Sequence, residues 1–204
     1  MIQVQLLTHT PLSIVSAAIR QCWDSFDKGG NYPESTDHIV VKDKELIDRV
    51  ANKMKHESVK NHATLTFQIQ GITTKTLLAL TRHDIGIEFS VQSSRYTTKK
   101  CIKSGKAGYT ESKSELVNKH LNTLNEMIKE CVNADVANDE ISLLLPQAWQ
   151  YNLICTMSLT ALQHFLNLRL KTDAHWDIRN LAKELYKSIP ESYLYLFEDQ
   201  RKLV

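Results

Sequence analysis

Closely spaced cysteines are missing from this chain. Cys22, Cys101, Cys131 and Cys155 form no Cys-x-x-Cys pair, so a zinc site is not expected. No apolar run is long enough to span a bilayer, and no membrane partner is expected. The opening Met1-Ile2-Gln3-Val4-Gln5 lacks a basic then apolar leader and is not read as a secretory signal. Six glycines and four prolines exclude a collagen-like or low-complexity chain. Excess charge is also missing: a formal net charge of +2 creates no field that demands nucleic acid. What is present is 204 residues, 42% hydrophobic and 24% charged, the make-up of a soluble globule. That length can bury one proper core, and free thiols point to a reducing cytoplasm.

The hydrophobic pattern predicts a single α/β domain over residues 1–204. Residues 2–7 read as a strand, and Thr10-Pro11 as a capped helix start. Ile14, Val15, Ala18, Ile19 and Cys22 fall on one helical face. Gly29-Gly30-Asn31-Tyr32-Pro33 reads as a loop, and 43–55 as a helix with Leu46, Ile47, Val50 and Met54 inward. The alternation over 64–70 predicts a half-buried strand, followed by a helix capped by Thr73 or Thr74. Residues 97–113, rich in Lys, Thr, Ser and Gly, read as a mobile surface loop. Ser112-Lys113-Ser114-Glu115 fits a capping box before a helix through Cys131. A strand over 149–156 and helices near 159–170 and 176–189 follow, with a short aromatic helix at the end.

Three clusters carry potential chemistry. Arg82-His83-Asp84 is followed by Ser93-Ser94-Arg95-Tyr96. Guanidinium binds phosphate bidentately and keeps its charge, and the two serines add donors. The bland alternative is a cation at a helix end, favoured by the helix dipole. The second cluster is Lys55-His56-Glu57-Ser58 with Asn61 and His62, whose histidine spacing suits no zincin helix, so no metal is expected. The third is Phe165-Leu166-Asn167-Leu168-Arg169 with His175-Trp176-Asp177-Ile178-Arg179, which alone says amphipathic helix.

Together these clusters resemble the flavin-dependent thymidylate synthases in order and nearly in spacing. That family's His-Glu-Thr-Pro-Phe-Glu-His run is similar to His56-Glu57-Ser58-Val59-Lys60-Asn61-His62, and its Arg-His-Arg motif to Arg82-His83-Asp84. The Ser-x-Arg-Tyr tail matches Ser93, Arg95 and Tyr96; Phe-Leu-x-Leu-Arg matches Phe165 to Arg169; and Gln-Trp-Glu-Ile-Arg is similar to 175–179. The resemblance covers essentially the whole chain.

The resemblance implies an α+β fold with a central, mostly antiparallel sheet flanked by helices, assembled as a homotetramer. It implies conversion of dUMP to dTMP with FAD as cofactor and methylenetetrahydrofolate and NADPH as co-substrates, without a cysteine nucleophile. By position, His56, Ser58, Asn61, Arg82, His83, Ile85 and His164 would border the flavin. Gln92, Ser93, Ser94 and Arg95 would hold the nucleotide phosphate, and Arg169 would meet the pyrimidine carbonyl and stabilise charge developing there. The chain also departs from the pattern. Asp84 stands where the family has Arg, and eight residues (85–92) rather than seven precede Ser93. Ser142 replaces a basic residue, and the family's Asn-x-Arg-x3-Asn run reads here as Ser158, Thr160 and His164. The expected consequence is a weaker flavin grip. The alternatives are an enzyme that modifies another pyrimidine nucleotide and a non-catalytic nucleotide-binding homologue.

Overall fold

The computed structural model describes residues 2–29, 39–105 and 108–204. The expected loop lies, beyond Gly29, outside them. Four strands form one sheet: β1 (Gln3–His9), β2 (Thr64–Thr73), β3 (Ile87–Val91) and β4 (Gln150–Ser158), in the order β1-β2-β4-β3. The register shows antiparallel pairing throughout. Thr10 N–H reaches Thr64 O at 2.9 Å, joining the end of β1 to the start of β2. Thr66 and Thr156 hydroxyls meet at 2.9 Å, while Gly71 N–H reaches Asn152 Oδ1 at 3.1 Å. Ser158 N–H bonds Gly86 O and Gln92 N–H bonds Asn152 O, again in opposed order.

Two compact units divide the chain. The first comprises Met1–Gln3, Ile69–Arg82 and Ser90–Leu153; the second comprises Val4–Gln68, His83–Phe89 and Ile154–Val204.

In the first unit, Thr73 caps α4 (Thr74–Leu80) by accepting from Thr76 N–H at 3.0 Å, as its spacing predicts. Helices α5 (Ser94–Lys103), α6 (Glu115–Asn133) and α7 (Asn138–Ser142) complete it. The loop expected over 97–113 is therefore helical as far as Lys103. Thr97 and Thr98 turn their hydroxyls back onto Ser93 O and Ser94 O, at 2.8 and 2.7 Å. Lys99 docks on the start of α7 and the turn before it, its N–H on Asn138 Oδ1 and its Nζ on Asp135. Tertiary contact overrides polar composition here. The cap of α6 is Ser114, not Ser112. Ile128, Val132 and Ile141 form one buried cluster of this unit, but Leu116, Val117 and Met127 of the same α6 stripe stay exposed.

In the second unit, α1 (Leu12–Cys22) starts at Pro11 without a side-chain cap; Thr10 Oγ1 instead accepts from Thr64 N–H. The helix expected over 43–55 is α2 (Val41–Ile47) running into a π-helix (Asp48–Lys53), and Met54 is 51% exposed rather than inward. Arg20 and Asp43, both buried, join α1 to α2 by an ion pair. Then come α3 (Glu57–Lys60), α8 (Leu159–Arg169), α9 (Trp176–Lys187), a 3-10 segment (Glu191–Phe197) and α10 (Glu198–Arg201). Leu65, Phe67, Leu162, Phe165, Leu166 and Phe197 are fully buried. Among the described residues no helix is long and apolar enough to cross a membrane.

Candidate active site

The site is built on α8. Ser158 caps this helix, its Oγ accepting from Ala161 N–H at 3.2 Å. Gly86, at φ +73°, brings the His83–Gly86 turn against that cap, where its carbonyl accepts from Ser158 N–H at 2.8 Å. A Cβ at position 86 would meet Ser158 Oγ at 2.6 Å, so both the backbone angle and the close approach require glycine.

That turn places His83 over α8. Its ring lies edge-on to Phe165 at 5.2 Å and to His164 at 5.9 Å. Arg169, at the end of the same helix, donates from Nε at 3.2 Å and Nη2 at 3.0 Å to His83 Nε2. A guanidinium has donors only, so Nε2 must be unprotonated and the ring proton sits on Nδ1. Burial first, then the Arg169 and His164 charges, push the His83 pKa below its ordinary value; Asp84 opposes them. His83 is therefore a neutral acceptor that orients Arg169.

A cavity of about 770 Å³ runs along α8, lined by Thr160, Gln163, His164 and Asn167. Lys60 is buried at its edge, with Nζ 2.7 Å from Gln163 Oε1 and 2.6 Å from Glu57 Oε2. Thr160 Oγ1 donates to Glu57 O at 3.3 Å. Across the cavity, Gln200 Nε2 donates to Asn167 Oδ1 at 2.8 Å, while Gln200 Oε1 and Tyr195 Oη are buried without partners among the described residues. Unpaired buried polar atoms are costly and mark a wall that a polar ligand can complete. Asn61 Oδ1 lies 3.5 Å from Ser158 Oγ. Ser58 is exposed on α3, His56 is exposed beside a second cavity, and Ile85 is 88% exposed.

The first unit holds the other group of predicted residues. Arg82 is exposed just after α4. Ser93 and Ser94 start α5, and Arg95 places its fork on Asp139, Nε to Oδ1 at 2.8 Å and Nη2 to Oδ2 at 3.2 Å. This exposed pair holds the Asp139 carboxyl below its usual range. Gln92 Nε2 donates to Thr97 Oγ1 at 3.0 Å.

Residues 5–192 match the family model described as thymidylate synthase complementing protein. The chain belongs to this family. A flavin-dependent thymidylate synthase of Wolinella succinogenes is 40% identical over 204 residues, covering 95% of this chain and 96% of its own. One of Campylobacter jejuni is 38% identical over 210 residues, covering 96% of each. The crystal structure of thymidylate synthase X from Helicobacter pylori, with FAD and dUMP, is similar at a TM-score of 0.85 and 30% identity, over 99% of this chain and 100% of that one.

For this member of the thymidylate synthase complementing family, the sequence patterns miss Asp139 as the partner of Arg95, although its place in the first turn of α7 is a helix-start signal. They also miss Gln163, Tyr195 and Gln200. Neither motif nor spacing marks these three, and the partners of Gln163 and Gln200 lie far away in sequence. Cys155 is buried and its thiol is pushed up to about 12, so it stays protonated at neutral pH and is a poor nucleophile.

Proposed function

We propose that this chain methylates dUMP to dTMP with FAD, methylenetetrahydrofolate and NADPH, as a cytoplasmic homotetramer folded as one domain. The observation that carries the reading is Arg169 held at the end of α8 by neutral His83. Two of its donor atoms are turned to His83, and Nη1 has no partner among the described residues. A fixed guanidinium facing a pyrimidine carbonyl stabilises negative charge as it develops on the ring, without reorganisation at the moment of reaction. Arg169 is the catalytic residue of this proposal.

The cavity along α8 fits the polar ring edge of a flavin. It offers Thr160, Gln163, His164 and Asn167 as donors and acceptors, and two buried polar atoms without partners among the described residues. When bound, the flavin supplies hydride chemistry. His164 and His83 border it from α8 and the preceding turn, and His56, Ser58, Asn61, Arg82 and Ile85 complete the same border in the assembly. Gln92, Ser93, Ser94 and Arg95 anchor the nucleotide phosphate for a neighbouring subunit, and Arg95 exchanges the Asp139 carboxylate for phosphate. Exposed Leu116, Val117 and Met127 on α6 are apolar surface that an oligomer interface would cover. The test is an assay of purified protein with dUMP, methylenetetrahydrofolate, FAD and NADPH. Formation of dTMP supports the reading, and its absence together with failure to rescue thymidine-requiring cells removes it.

A further inference from the structure

We propose that the second cavity, of about 580 Å³ beside α1 and α2, binds an aromatic ring carrying carboxylate or phosphate groups. Its floor is apolar, formed by Ile19, Leu46 and Val50. Trp23, 68% exposed, and Met54 stand at its wall and offer a stacking surface. Around them are the cations of Lys28, Lys42 and Arg49, with His56 beside them.

The charges distinguish this cavity from the one along α8. There, Lys53 is paired with Asp48 at 2.9 Å and Lys60 with Glu57 at 2.6 Å. Here, Lys28, Lys42 and Arg49 have no ion pair or side-chain hydrogen bond among the described residues. Glu45 is the one carboxylate in the described wall, so three cations face one anion. Arg20 adds no free charge, since Asp43 neutralises it. Unpaired cations around an apolar floor are complementary to a ring that is itself an anion.

The backbone supports the same site. The π-helix widens the turn, with Met54 N–H bonding Arg49 O at 2.9 Å, and brings Arg49, Val50 and Met54 to the cavity wall. Two residues past its last residue, Lys53, stands Lys55, a non-glycine residue at φ +55°. His56 N–H then closes back on Val50 O at 3.1 Å, which sets His56 at the rim. Such irregular backbone concentrates at functional sites.

The chemistry of the cavity rests on these residues alone. Only the choice of ligands to test rests on the proposed reaction, whose two co-substrates, a nicotinamide dinucleotide phosphate and a reduced folate, are both aromatic anions. Calorimetry of the full chain with NADPH and with tetrahydrofolate, each alone, tests the proposal. Trp23→Ala should weaken one of these ligands several-fold by removing the stacking surface, and the double variant Lys42→Ala/Arg49→Ala should weaken it roughly tenfold or more, the usual worth of a charged contact. Lys187→Ala, a surface control, should leave it unchanged, and melting curves should match the wild type because the substituted side chains are exposed. The ligand that weakens identifies the occupant. Equal affinity of wild type and variants overturns the proposal, as does a wild type that binds neither ligand. A wild type that forms dTMP while the variants bind normally removes this inference alone. A wild type that binds here without forming dTMP removes the reaction and leaves the site.

Discussion

Arg169 gives two of its donors, Nε and Nη2, to one atom, His83 Nε2. The imidazole therefore fixes the guanidinium plane before any ligand arrives. Replacing His83 by Phe keeps a ring against Phe165 but removes the acceptor. A charged hydrogen bond is worth about 1.5–3 kcal/mol, so dTMP formation should fall roughly 10–100-fold. Arg169→Ala should fall at least as far, and the double variant no further than Arg169→Ala. Rates that multiply across the double variant would show that the two residues act separately.

The same contact is pH-dependent. The His83 pKa lies below its ordinary value, through burial first and then the nearby cations. Below pH about 6.5 the unfolded chain binds a proton here that the folded chain resists. The contribution of His83 to stability is thus complete above that pH and is lost as pH falls through the lower folded value. Protonation also removes the acceptor that holds Arg169. NMR titration of the imidazole should give a midpoint below that of a solvated histidine. Stability curves of wild type and His83→Phe should diverge as pH rises toward neutrality. A normal midpoint would contradict this account.

Arg95 is expected to anchor the nucleotide phosphate. In the structure its fork is occupied by Asp139, a pair exposed on both sides and thus easily exchanged. Arg95→Ala should weaken dUMP by about 1.5–3 kcal/mol. Calorimetry is the measurement, and unchanged dUMP affinity would exclude the role.

Local signals were the legible part of this fold. Thr73 caps α4 because a cap needs only its own side chain and the third residue on. Strand β2 is found where Thr64 to Gln70 alternate, since one buried face imposes that period. Helix α5 was not legible, because its polar residues are held by Asn138 and Asp135, more than thirty positions away. The π-helix was hidden too, since its widened turn leaves no compositional mark. At the site, the family likeness singled out His83, His164 and Arg169 one by one. Their convergence depends on the turn at Gly86 closing onto Ser158, a contact no spacing in the sequence encodes. The sequence also names no partner for Arg95, because α5 meets Asp139 only through tertiary packing.

Stability should depend on the buried pair of Arg20 and Asp43. Arg20 Nε donates to Asp43 Oδ1 at 3.1 Å, its Nη1 holds Ser25 O at 3.2 Å, and Ser16 Oγ donates to Asp43 Oδ2 at 3.4 Å. Asp43→Ala strands the guanidinium in the interior and should cost about 3–5 kcal/mol. The double variant Arg20→Met/Asp43→Leu should lose much less, because no charge is left unpaired. Urea denaturation checks both, read as the midpoint at unchanged slope.

Flavin should bind more weakly here than in relatives that keep the family pattern. Asp84 stands where that pattern has Arg, and Ser158, Thr160 and His164 replace its Asn-x-Arg-x3-Asn run. The structure gives two of these replacements other tasks. Ser158 caps α8, and Thr160 donates to Glu57 O. Neither side chain carries charge, and Asp84 adds an anion where an anionic cofactor is to be held. Lys60 supplies a cation at the cavity edge, but Glu57 and Gln163 already occupy it. Asp84→Arg with Thr160→Arg should therefore tighten FAD. One restored charged hydrogen bond would lower Kd by roughly tenfold or more. Fluorescence titration with FAD measures both proteins. Tight binding by the native chain would refute the role given to these substitutions. If neither protein binds FAD, the flavoenzyme reading fails as a whole, since no placement of Arg169 and His83 could act on a nucleotide without a hydride source.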